Sequence, residues 1–324
     1  MNQIGVRYTS VTIDRKNKGE KGGEKVPGTL AHHVFEEPNV VGILIGRNKA
    51  WIADNPTAQC DANAVGTTVS AASVANVPRS ITISDNFFSR SWTGTIALND
   101  STRQVTIQNN TFQDNYQYSY DSSGGTMNTT SCDYDTQILN NKFFGWGLNL
   151  LPGRSTQALE LHGLKELVQD NTIQGYPNDV ILARSVRDLT VNRNTIQQNG
   201  WVVGNTDSAI DIWNQAGNRR TTSVTISNNT ISNSLVPPAT VPASLRYGIR
   251  IYQHQCPDDQ LVFPYSTVAA CRADVAQLSP VNSVKLVNNQ IVGMQIGSYC
   301  TASVAMGSEW DPSASTWTSC NQIP

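Results

Sequence analysis

A chain of 324 residues with 39% hydrophobic but only 15% charged side chains, 7 Glu and 8 Lys against 18 Asp and 15 Arg, is short of the charged residues that helical surfaces favour. Asn, Ser, Thr and Asp supply its polarity; they compete with the helical backbone for hydrogen bonds and suit turns and strands, which argues against a helix bundle, a coiled coil or a Glu/Lys-rich disordered chain. The net charge of −2 lacks the basic excess of a nucleic-acid binder, and no apolar run approaches the roughly 20 residues of a membrane helix.

In chain order, the first predicted element is Val6 to Asp14, VRYTSVTID, read as an early coil of strand. The start Met1–Asn2–Gln3–Ile4 has neither a basic head nor an apolar stretch, so a secreted protein of this sequence is expected to be a mature or trimmed form. Because a coil begins so near Met1, a partner chain or further coils are expected over the N-terminal end. Asp14 to Val26 holds half of the lysines among glycines and reads as a solvated loop. A further coil is expected at Val41 to Ile45, VGILI.

From Ser80 onward one phrase recurs seven times: SITISDNFF at 80–88, QVTIQNNTF at 104–112, TQILNNKF at 136–143, ELVQDNTI at 166–173, DLTVNRNTI at 188–196, SVTISNNTI at 223–231 and SVKLVNNQI at 283–291. Each reads apolar–polar–apolar, the period of a strand with one buried face, and an Asn then turns the chain. That column, Asn86, Asn110, Asn141, Asn171, Asn194, Asn229 and Asn289, is expected to stack as a ladder that satisfies turn backbone. A second strand follows most units: GTIALN at 94–99, GTMNTT at 125–130, ALELH at 158–162, DVILA at 179–183, AIDIW at 209–213 and GIRIY at 248–252. Two or three short strands per repeat with no helix between them make coils, and stacked coils share a core that no single coil can bury.

These phrases resemble the repeats of right-handed parallel β-helix proteins of the pectate-lyase-like (pectin-lyase fold) superfamily, over roughly Ser80 to Gly293. The resemblance implies an all-β, right-handed parallel β-helix, one domain over 1–324 with core coils at about 40–293 and a C-terminal cap or tail at 294–324. It also implies a protein that meets polysaccharide or oligosaccharide; charge and the lack of a long apolar run argue against nucleic acid or membrane as partner, and six cysteines with so little Lys and Glu fit an extracellular setting. Leu235 to Pro280 is one coil with long excursions, and the Trp310 to Trp317 tail is read as the cap. Cys60, Cys132, Cys256, Cys271, Cys300 and Cys320 lack metal-ligand spacing, and the last four form two sequence-local pairs that suit disulfides.

Strand parity nominates the chemistry. With Leu159, Leu161, Val180, Leu182, Ile210, Ile212, Ile249 and Ile251 as core, one outward column reads Ala97, Asn128, Glu160, Ile181, Asp211, Arg250. The next reads Asn99, Thr130, His162, Ala183, Trp213, Tyr252, with Asp179 at the strand entrance and Arg184 close by. Three carboxylates, Asp179, Asp211 and Glu160, suit glycoside hydrolysis, which needs one carboxyl as acid and one as base or nucleophile. Asp179 or Asp211 is expected as the acid, with the other or Glu160 as base; His162, Arg184 and Arg250 orient the sugar, and Trp213 and Tyr252 offer it aromatic faces. Asn205-Thr-Asp207 through Asp211 resembles the Asn-Thr-Asp segment of polygalacturonase-like hydrolases, and Arg250-Ile-Tyr252 stands where that family has Arg-Ile-Lys; its paired Asp-Asp and Gly-His-Gly segments are absent here. The glycoside-hydrolase reading needs no cofactor. Two alternatives remain open: a polysaccharide lyase or uronate epimerase, with Ca²⁺ held by the acids, and a non-catalytic glycan-binding or structural solenoid of tailspike or adhesin type.

Overall fold

The computed structural model describes residues 7–8, 11–14, 28–31, 34–36, 43–46, 79–90, 95–99, 102–113, 127–128, 134–145, 157–176, 179–184, 186–197, 207–214, 221–233, 246–253, 282–294, 296–300, 306–310 and 317–318. Most of the 14–26 loop, most of the 235–280 excursion and five of the six cysteines lie outside them; Cys300 is placed by its backbone in the strand Ile296–Cys300. Among the described residues the chain is all-β, in three sheets of nine, ten and nine strands whose pairings are all parallel. Except for the last pairing, of Ile296–Cys300 with Trp317–Thr318, neighbours in a sheet are every third strand in sequence, so one coil is three strands and each coil lies on the last. This is a parallel β-helix, as the repeats predict.

A typical coil runs through the six-residue strand Leu164–Gln169, the three-residue strand Thr172–Gln174 and the strand Ile181–Arg184. Along the six-residue strands the inward positions form two columns, Ile81–Val105–Thr136–Glu166–Leu189–Val224–Val284 and Ile83–Ile107–Ile138–Val168–Val191–Ile226–Leu286. All of them are buried, and Glu166 and Thr136 are the polar members of an otherwise aliphatic set. The three-residue strands contribute one inward residue each: Phe88, Phe112 and Phe143 stack with centroids 4.9 and 4.6 Å apart and rings within 7° of parallel, followed by Ile173, Ile196 and Ile231. Parallel strands lie about 4.8 Å apart, so in-register aromatics meet face to face at the spacing of the coils.

The Asn column is the ladder expected of it. Each Asn from 86 to 229 uses its backbone N–H and its Nδ2 to reach the Oδ1 of the Asn one coil on, for example Asn110 to Asn141 at 2.9 and 3.1 Å. Nδ2 also reaches a strand carbonyl of the preceding coil, as from Asn141 to Ile107 at 2.9 Å. The turn itself is made one residue earlier than the sequence reading placed it. Asp85, Asn109, Asn140, Asp170, Arg193, Asn228 and Asn288 hold φ between 51° and 58°, the left-handed region. The ladder Asn follows each of them and stays buried. Asx side chains tolerate that conformation best, and Arg193 adopts it because the ladder on both sides dictates the turn. A glycine is required at Gly175, where φ is +78° and an added Cβ would stand 2.9 Å from the Gly145 carbonyl oxygen.

At the chain ends, Arg7–Tyr8 pairs with Val34–Glu36 and Val11–Asp14 with Ile43–Gly46, so coil register is present by residue 7. Ile296–Cys300, Met306–Trp310 and Trp317–Thr318 continue two of the sheets beyond residue 293.

Candidate functional site

The predicted site lies on the outer side of the ten-stranded sheet, where the strands Leu159–Leu161, Ile181–Arg184, Asp207–Asn214 and Arg246–Gln253 run side by side. Their register corrects one coil of the sequence reading. Leu159 pairs with Ile181 and Leu161 with Ala183, so Ile181 and Ala183 belong to the core columns with Ile210, Ile249, Ile212 and Ile251. The outward columns are therefore Glu160–Leu182–Asp211–Arg250 and, one strand position beyond the paired Leu161 and Ala183, His162–Arg184–Trp213–Tyr252. Val180, Ile181, Leu182 and Ala183 are all buried, so this strand lacks the alternation from which parity is read.

Within these columns the charged side chains close on one another in two groups. In the first, Glu160 is wholly buried and its Oε1 takes a hydrogen bond with His162 Nε2 at 3.0 Å and an ion pair with Arg184 Nη1 at 3.2 Å. Glu160 and His162 are two residues apart on the same strand face, which a strand's period brings together. Arg184 reaches them from the next coil because, in the corrected register, it stands beside His162.

In the second group Arg250 Nε and Nη2 donate to Asp211 Oδ1 and Oδ2 at 3.1 and 2.5 Å, a fork matched to a carboxylate from the adjacent coil. The same Nη2 lies 3.7 Å from Asp179 Oδ1, which also accepts the Ser208 backbone N–H at 3.0 Å. The Arg250 guanidinium thus faces both carboxyls, forked onto Asp211 and close to Asp179. Burial pushes the Asp211 carboxyl above the usual carboxylate range, against the pull of Arg250, of the neighbouring Asp179 side chain and of the more distant Arg184 charge. The side chain of Asp179 is 12% exposed and that of Asp211 is 1% exposed, so Asp179 is the member of the pair nearer solvent.

The sequence-predicted residues thus fall into three sets. Asp179, Asp211 and Arg250 come together, as do Glu160, His162 and Arg184. Asp207, Trp213 and Tyr252 are placed by backbone register alone, Asp207 beside Arg246 and Trp213 between Arg184 and Tyr252; their side chains lie outside the described residues. Tyr247 was missed: its ring centroid lies 5.5 Å from the Arg250 guanidinium, and its signal was its place three residues before Arg250 at the entrance of the same strand. Glu160 and Asp211 are separated by the Leu182 coil, about 9–10 Å of backbone at the parallel-strand spacing. Among the described residues no group of three or more His, Cys, Asp and Glu side chains is arranged to hold a metal ion. Also among them, no helix is long and apolar enough to cross a membrane.

No family model matches this chain, and no curated protein matches it. Among solved structures it is similar to the surface protein and adhesin PfbA of Streptococcus pneumoniae, at 11% identity, over 94% of this chain and 91% of that one, with a TM-score of 0.26. A likeness at that score carries no argument for fold or function, and the reading of this chain rests on its own coils and side chains.

Proposed function

We propose that this protein is an extracellular, polysaccharide-processing member of the pectate-lyase-like β-helix superfamily and that the outer face of its ten-stranded sheet hydrolyses glycosidic bonds. The carboxyl pair of Asp179 and Asp211 carries the reading. The two carboxyls face one Arg250 guanidinium, and burial raises the Asp211 carboxyl above the usual range; a carboxyl that keeps its proton is what a general acid needs. Asp179, nearer solvent, is the donor to the leaving sugar oxygen; Asp211, clamped by Arg250, keeps the proton on the pair. Hydrolysis also needs a base for the attacking water. Glu160 is wholly buried, so it acts through His162: its Oε1 holds the ring at Nε2 and leaves Nδ1 as the nitrogen that takes the proton of the attacking water, with Arg184 paired to the same carboxyl oxygen. Trp213 and Tyr252, next in the same column, would extend the surface as sugar platforms.

A second reading has its own support. The acids and bases of this face close on one another, Glu160 with His162 and Arg184 and Asp211 with Arg250, as they would in a rigid glycan-binding or structural solenoid without catalysis. Incubation with a polysaccharide panel separates the readings. New reducing ends without ultraviolet absorbance indicate a hydrolase, absorbance of an unsaturated product a lyase, and retention without either a binding module.

A further inference from the structure

The arginines of this face also speak to the class of sugar it takes, on the reading that the face meets a glycan. A uronic acid is recognised by a cation free to pair with its carboxylate, most often a guanidinium with its fork open. Among the described side chains, both guanidinium groups beside the carboxyl pair are already engaged by the protein's own acids. Arg250 spends its Nε–Nη2 fork on Asp211, its Nη2 also lies 3.7 Å from Asp179, and its plane lies near the Tyr247 ring. Arg184 pairs with Glu160, the acid that also takes His162. Among the described side chains of the cluster, three carboxyls, Glu160, Asp179 and Asp211, stand against two guanidinium groups. An added carboxylate would add to that excess beside Asp179, the more exposed acid of the pair.

We infer that the substrate is a neutral glycan, with uncharged hexose or pentose units at the point of cleavage, and that uronate polymers are excluded. The distinction cuts across the superfamily resemblance, whose lyases and polygalacturonase-like hydrolases imply acidic polymers. It follows from which carboxylates the arginines already hold.

The test is native affinity electrophoresis of the full chain through gels containing galactomannan, arabinogalactan, hydroxyethyl cellulose, polygalacturonate, alginate, or the last two after chemical reduction of their carboxyl groups. Reducing-end release on the same polymers runs in parallel. The expected result is retardation and cleavage on at least one neutral polymer, at least tenfold beyond any acidic one, with any weak response to an acidic polymer strengthened by carboxyl reduction. Preferential retardation or cleavage of polygalacturonate or alginate, lost on carboxyl reduction and weakened in Arg184→Gln, would overturn the neutral-substrate inference and leave the hydrolase reading in place. Retardation by a neutral polymer without cleavage would uphold the inference and overturn the hydrolase reading. A chain that passes every gel unretarded and releases no reducing ends overturns both.

Discussion

Removing one rung of the Asn ladder tests the physical basis of the fold. In Asn171 the Oδ1 accepts the Asn141 backbone N–H at 2.8 Å and Asn141 Nδ2 at 3.1 Å. Its Nδ2 donates to the Ile138 carbonyl at 2.9 Å and to Asn194 Oδ1 at 3.0 Å. Asn171→Ala deletes all four bonds at a position buried from water. Two of the partners keep a bond: Asn194 Oδ1 still receives the residue 171 backbone N–H, and Asn141 Nδ2 still reaches Ile107. The Asn141 backbone N–H loses its acceptor, and a buried group left so costs about 1–3 kcal/mol, with the weakened partners adding about one more. The expected destabilisation is therefore about 2–4 kcal/mol, read as a shift of the urea midpoint followed by far-ultraviolet circular dichroism. Lys142→Ala, on an exposed side chain in the preceding coil, is the control, expected to stay within about 0.5 kcal/mol of wild type. If the two variants unfold together, the ladder is an ornament of the repeat and the reasoning fails.

Three further outcomes follow from the same structure. Phe112→Ala empties the middle of the Phe88–Phe112–Phe143 stack and should cost about 3–5 kcal/mol, whereas Phe112→Leu should keep most of that; thermal unfolding of the pair decides it. Gly175→Ala places a Cβ against the Gly145 carbonyl at a left-handed φ and should cost about 1–3 kcal/mol; a melting temperature equal to wild type would refute the close approach. For Asp211 the folded carboxyl holds its proton above the ordinary value of 3.8, so as pH rises past about 4 the unfolded chain releases a proton that the folded chain keeps. Wild type should then lose stability relative to Asp211→Asn as pH rises through the folded value, and urea midpoints of the two proteins that run parallel from about pH 4 to pH 8 would contradict the shift.

How far the sequence carries this account depends on alternation. The six-residue strands, such as RQVTIQ at 103–108, alternate cleanly, and their core columns and Asn ladder can be written down from sequence alone. What could not be read there was which of two adjacent Asx positions turns the chain. Both are polar, and only the backbone shows that Asn109 rather than Asn110 is left-handed. The run DVILAR at 179–184 failed for a different reason: four consecutive buried apolar residues carry no parity, so Ile181 was turned outward and Arg184 was left beside the site instead of in it. The Glu160–His162 contact was legible as two outward residues on one strand, and Asp211 beside Arg250 as neighbours in one column. The approach of Asp179 to Arg250 was not, because Asp179 lies before its strand, where period-2 reasoning does not apply.

Turnover by Asp179→Asn and Asp211→Asn measures the central claim most directly. On whichever polysaccharide the wild type cleaves, each variant should release reducing ends at least a hundredfold more slowly, since Asn carries no proton to donate and cannot hold one on its partner. Both should retain the wild-type circular dichroism spectrum. Undiminished turnover in both variants would contradict the assignment of the carboxyl pair as the acid of this site.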